Sequence, residues 1–153
     1  MSATAKLYLV PHSALSTLEV AASSNPESYR EAFGKYGRDI ATYSWGGWII
    51  ATLLPILHSN YRIDLMKGEN EISTRLSNKT GMSHVILTMA EKAAYWERLD
   101  PSLFVSKDLQ SAFEQFNETK APEAAEFMQA GIEFLRFGLQ CVSPANVVLL
   151  VIG

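Results

Sequence analysis

Trp45-Gly46-Gly47-Trp48-Ile49-Ile50-Ala51-Thr52-Leu53-Leu54-Pro55-Ile56-Leu57 is the stretch whose reading decides the fold. No Asp, Glu, Lys or Arg occurs between Asp39 and Arg62, and this run fills the middle of that gap. A segment so apolar must leave water, either in a protein core or in a bilayer. A spanning helix needs roughly 20 predominantly apolar residues. The run has 13, flanked by Thr42, Ser44, His58, Ser59 and Asn60 and interrupted by two glycines and a proline. The reading is therefore a buried core helix, not a membrane span. The glycine pair is expected near the helix start, where its backbone freedom does least harm. Pro55 is expected to bend or end the helix, because its ring removes a donor and crowds the carbonyl four residues back.

Working outward, the chain of 153 residues is read as a single α+β domain, residues 1–153. It is 48% hydrophobic and 19% charged, an ordinary globular composition. Its formal charge of −3 and lack of any basic run argue against nucleic acid as a partner. One cysteine, Cys141, excludes an internal disulfide and suits a reducing compartment, so a cytoplasmic location is expected. Met1-Ser2-Ala3-Thr4 lacks the basic and apolar regions of a signal peptide.

On the N-terminal side, Lys6-Leu7-Tyr8-Leu9-Val10-Pro11 reads as a strand stopped by proline. Ser13 can cap a helix from Ala14 to about Ala22. Asn25-Pro26 is a strong start signal for the next helix. Tyr29, Phe33, Tyr36, Ile40 and Tyr43 recur at steps of 4, 3, 4 and 3, the stripe of one helix or of two collinear helices broken near Gly37. Such a stripe serves either as core or as a ligand-stacking surface, and core is the reading taken here.

On the C-terminal side, Arg62 to Met66 reads as a short strand and Lys67 to Glu71 as a charged turn. Ile72 to Ser77 fits a helical turn or a loop, and Asn78 to Gly81 is a break. Ser83 is expected to cap a helix running to about Leu99, with His84, Thr88, Glu91, Tyr95 and Arg98 as its polar stripe and Asp100-Pro101 as its stop. Ser106 caps a short helix that buries Leu109, Ala112, Phe113 and Phe116. A long helix follows Pro122, with acids in its first turns and one narrow polar stripe from Glu123 to Gln140. Val147 to Ile152, six consecutive apolar residues, reads as a strand covered on both faces and placed beside the N-terminal strand. The predicted class is thus a helix-rich α+β domain whose small sheet includes the N- and C-terminal strands.

No motif for nucleophilic catalysis, metal ligation or phosphate binding occurs, so neither catalytic residue, metal nor cofactor is assigned. Two sets of residues stand out. Asp64, Glu69 and Glu71 surround a glycine turn and form an acidic loop that could engage a partner. Trp48, His84, Glu91 and Tyr95 could line a pocket between the Trp48 helix and the His84 helix, with His84 and Glu91 as an acid–base pair. A solvated turn and a solvated helix face are the plain alternatives for the two sets.

The order of the N-terminal strand Leu7 to Val10, the helix from Trp48 to Leu54, the helix of V-x-x-x-x-A-x-x-L type from Val85 leading to Asp100-Pro101, and the Phe-rich helix and aliphatic strand from Phe127 to Gly153 resembles the YfbM-like family of small bacterial proteins. The chain departs from that family's pattern at Leu54-Pro55-Ile56, where a Leu-Thr-Gly is usual. The resemblance implies an α+β fold and brings no activity or functional residues with it. Two functions follow as expectations. One is a non-enzymatic binding protein, such as an immunity protein that neutralises a cognate bacterial toxin, its acidity suited to a basic partner. The other is a small-molecule-binding or hydrolytic enzyme using the Trp48–His84 pocket.

Overall fold

A computed structural model describes residues 3–153. Four strands form one antiparallel sheet in the order β2-β1-β4-β3. They are β1 (Ala5–Pro11), β2 (Arg38–Thr42), β3 (Ser83–Leu87) and β4 (Asn146–Ile152). The continuous apolar run of β4 has the position its composition demands. It lies in the sheet interior, paired with β1 from Ala5↔Ile152 to Pro11↔Asn146 and with β3 from Ser83↔Ile152 to Leu87↔Val148. With neighbours on both edges and helices on both faces, its backbone is satisfied and Val147 to Leu150 are buried.

Among the described residues seven α-helices surround the sheet: α1 (Leu15–Ser24), α2 (Pro26–Tyr36), α3 (Gly47–Tyr61), α4 (Asn70–Thr80), α5 (Met89–Tyr95), α6 (Ser106–Asn117) and α7 (Ala124–Cys141). Alternation along the strands sorts the core into two clusters. Leu7, Leu87, Val148 and Leu150 face a large cluster with α3, α6 and α7. Val10, Ile86, Val147 and Leu149 face a smaller one with α1, α2 and α4.

The central run forms α3, and its buried residues include Ile49, Ile50, Leu53, Leu54, Ile56 and Leu57. The glycine pair does open the helix, but the reason is close approach and not backbone freedom. A Cβ on Gly47 would lie 2.9 Å from the Ala5 amide nitrogen, because α3 starts directly against β1. Pro55 does not end the helix, which continues to Tyr61. It stops where Arg62 turns left-handed (φ 56°), its amide bonding back to the His58 carbonyl and that of Ile63 to the Leu57 carbonyl. That closure leaves Arg62 to Met66 as a loop where a strand was expected.

Several other expectations are corrected. Ser13 caps nothing: it lies in a single 3-10 turn, His12–Ala14, and α1 begins at Leu15 with no side-chain cap. The Tyr29–Tyr43 stripe is not one helical face. α2 ends at Tyr36, and Ile40 belongs to strand β2, where it is the residue skipped by the irregular pairing with β1. Ile72 to Ser77 is helical, within α4. Ser83 does not start a helix but a strand, and α5 begins after Thr88, whose side chain and Glu91 form a reciprocal capping box. Phe116 is not buried but half exposed. Asn25, by contrast, caps α2 through its side chain, which accepts from the Ser28 amide at 2.8 Å.

Candidate functional site

The strand start at Ser83 dissolves the expected polar stripe. His84 points into the smaller cluster, where its ring meets Tyr29 of α2. Trp48 lies on α3 against Phe113 of α6, in the larger cluster's territory, with ring centroids 5.7 Å apart. Tyr95 ends α5 under the Arg98 guanidinium. A groove of about 340 Å³ does open between α3 and the edge of β3, lined by Ala51, Leu54, Ser77 and His84, but Trp48, Glu91 and Tyr95 are not on it. The four residues therefore form no common site.

Glu91 is buried for a local reason. Its Oε1 accepts from the Thr88 amide at 2.9 Å and from the Thr88 hydroxyl at 2.7 Å, closing the start of α5. It does share a cleft of about 410 Å³ with Glu69 of the acidic loop and with His12. There Glu69, left-handed at φ 47°, lies 3.2 Å from His12 Nε2. Ser143 also lines this cleft, but its hydroxyl oxygen accepts from Asn146 and no hydrogen bond links it to His12. Asp64 is turned inward, accepting from the Met66 amide at 3.0 Å, with His58 Nε2 at 3.8 Å. Glu71 is exposed in the first turn of α4. Two of the three loop acids are occupied by the protein's own groups. Among the described residues no three His, Cys, Asp or Glu side chains converge to hold a metal. None of the described helices is long and apolar enough to cross a membrane. Cys141 is half-buried at the end of α7, and burial raises its thiol pKa against the lowering influence of Lys92 and Arg38.

An aromatic-lined cleft lies over the sheet face that carries the smaller cluster. A cleft of about 460 Å³ opens where α2 and the end of α4 diverge over β1 and β4. That volume is within the range of small-ligand sites, roughly 300–1,000 Å³. Its walls are aromatic. Tyr8 of β1 meets Phe33 edge-on at 4.6 Å, and Tyr29 tilts against Phe33 at 5.5 Å. Ala22, Met82 and Val151 complete the apolar lining. Gly34 leaves part of the wall open: a Cβ there would meet nothing within 4 Å. Arg30 of α2 and Lys79 of α4 are the charged residues of the lining, which contains no carboxylate.

Behind the wall, the Tyr29 hydroxyl and His84 Nε2 are 2.6 Å apart, and His84 Nδ1 is 2.9 Å from the Met82 carbonyl. A carbonyl only accepts, so Nδ1 carries the proton and Nε2 accepts from the tyrosine. Burial holds the His84 pKa below its ordinary value, although the Met82 carbonyl pulls the other way. Burial, reinforced by Tyr8, raises that of Tyr29. Both groups are therefore neutral at pH 7, and each spends its polar atoms on the other or on the backbone.

Sequence reasoning noticed Tyr29 and Phe33 as part of a stripe but not Tyr8, Arg30 or Lys79 as their companions. The i, i+4 spacing of Tyr29 and Phe33 was the available signal. The rest come from β1 and α4, which only the folded sheet brings near. No protein-family model, curated protein or solved structure matches the chain significantly.

Proposed function

We propose that the chain is a binding protein and not a catalyst, and that it holds a small apolar ligand in the cleft between α2 and α4. The observation that carries this reading is the composition of the cleft: aromatic and aliphatic walls with an open patch at Gly34. Nearby acid–base groups are committed, since Tyr29 and His84 satisfy each other in their neutral forms. Such a lining supplies burial and shape, which give affinity, without a free proton donor or nucleophile. Titration calorimetry with decanol tests it. Wild type is expected to bind saturably, and Gly34→Leu, which projects a side chain into the open patch, is expected to abolish binding while leaving the circular dichroism spectrum intact. Absence of binding to wild type, or equal binding by the variant, overturns the reading.

A second reading keeps another protein as the partner, of the toxin or effector kind that an immunity protein neutralises. It is favoured by Trp48 and Phe116, which are 48% and 52% exposed on the outer side of the α3–α6 pair. Trp48 leans on Phe113, and Phe116 flanks a shallow groove beside Pro55. Half-exposed aromatic anchors of this kind carry much of the energy in protein interfaces. The net charge of −3 suits a basic partner. Affinity capture with wild type and with a Trp48→Ser, Phe116→Ser variant distinguishes the outcomes. A stoichiometric partner lost by the variant supports this reading, and one retained by it overturns the assignment to this face.

A further inference from the structure

We infer that the natural occupant of the α2–α4 cleft is an apolar monocarboxylate, held by its body against the aromatic wall and by its charge between Arg30 and Lys79. The inference rests on the ligand-binding reading above and adds the ligand's chemistry to it.

Charge placement is the first argument. The protein as a whole carries −3, yet the lining of this one cleft carries two cations and no acid. Among the described residues neither Arg30 nor Lys79 forms an ion pair, although Lys6 and Arg75 both do. Cations left unpaired beside an apolar cavity favour an anion there, because the low-dielectric wall weakens screening of the contact.

Hydrogen-bonding capacity is the second. Tyr29 is committed to His84, and the Thr80 hydroxyl donates to the Leu76 carbonyl at 2.8 Å. The Tyr8 hydroxyl has no hydrogen-bond partner among the described residues, while its ring forms part of the cleft wall. It remains a free donor for a carboxylate oxygen.

The third argument limits the charge. α2 begins at Pro26 and α4 ends at Thr80 on the same rim, so the positive pole of one helix and the negative pole of the other roughly cancel. The charge left is that of two side chains at the mouth of an apolar cleft, where a monocarboxylate sheds less hydration than a phosphate dianion. The cleft's dimensions and walls admit either an aliphatic or a flat aromatic tail.

Titration calorimetry of the full chain with decanoate, 2-naphthoate, decanol and decylammonium is the test. At least one of the two acids is expected to bind about tenfold tighter than decanol, the scale of two partly screened ion pairs. Decylammonium is expected to bind more weakly than decanol. Which acid wins tells an aliphatic from an aromatic source. In an Arg30→Gln, Lys79→Gln variant, which removes the charges and keeps most of each stem, the preference for acid over alcohol is expected to vanish. Equal binding of acids and alcohol by wild type, or a preference that survives in the double variant, overturns the monocarboxylate and leaves the apolar cleft standing. Failure of all four compounds to bind, or binding indifferent to Gly34→Leu, overturns both.

Discussion

The two faces of the sheet are built differently. The face under α3, α6 and α7 is closed. Gly131 lets α7 lie so near α3 that an added Cβ would come within 2.7 Å of Leu53, and at Gly138 it would lie 3.1 Å from Leu87 on the sheet. The face under α1, α2 and α4 is looser. It holds the smaller cluster, a buried Tyr–His hydrogen bond and the open aromatic cleft. Close packing on one side holds the fold and leaves the other side free to carry polar groups and empty space, which a core at full density would not tolerate.

Mutations can break this contrast. Leu150→Ala, on the closed face, is expected to cost about 2–5 kcal/mol, since the cavity has rigid walls on every side. Urea denaturation measures it, and a loss below 1 kcal/mol would mean that this face is no better packed than the other. On the looser face, Tyr29→Phe keeps the ring and removes the donor to His84. Leaving that imidazole nitrogen unpaired is expected to cost about 1–3 kcal/mol by the same measurement. A neutral result would show that water from the cleft already reaches His84.

The pH dependence sharpens the comparison. The folded pKa of His84 lies below its unfolded value near 6.5, so the unfolded chain binds the extra proton first. Its contribution to stability is present above that unfolded value and is lost as pH falls below it, with a slope of at most about 1.4 kcal/mol per pH unit. Unfolding at pH 7.5 and 5.5 should show that loss in wild type and less of it in His84→Gln. Identical losses would remove His84 as the cause. The smallest effect has the opposite sign. Gly34→Ala, within α2 and facing open space, is expected to stabilise by about 0.5–1 kcal/mol. A decrease in melting temperature would show that the cleft wall is tighter than its geometry.

The closed face was the legible one. A stretch without charge from Ile40 to Tyr61 and six apolar residues at Val147 have few solutions in water, and α3 and β4 are those solutions. On the looser face the pattern is ambiguous wherever two periods compete. Ser83 to Leu87 is short enough to extend the α5 pattern backwards, with Ser83 as a candidate cap, although its β-branched Val85 and Ile86 favour the strand that forms. The decisive signal was nearby: Thr88-x-x-Glu91 is the capping box that places the helix start five residues later. Likewise Ile40 and Tyr43 continue the helical spacing of Tyr29 only by coincidence, because Gly37 ends α2 and a strand follows. The cleft was illegible for another reason. Tyr8, Arg30 and Lys79 lie on three elements, and their meeting depends on how α2 and α4 pack, which local pattern does not encode.

The pairing of β1 with β4 also has a bearing on how the chain is made. The chain from β1 through Asn146 must be synthesised before β1 can meet β4, and until then the edge of β1 that β4 covers is unpaired. A nascent chain in that condition exposes a sticky ribbon for the duration of translation. Ribosome-bound intermediates should therefore lean on chaperones until β4 emerges, and folding in vitro should be slow for so helical a protein, limited by the search for its most distant contact.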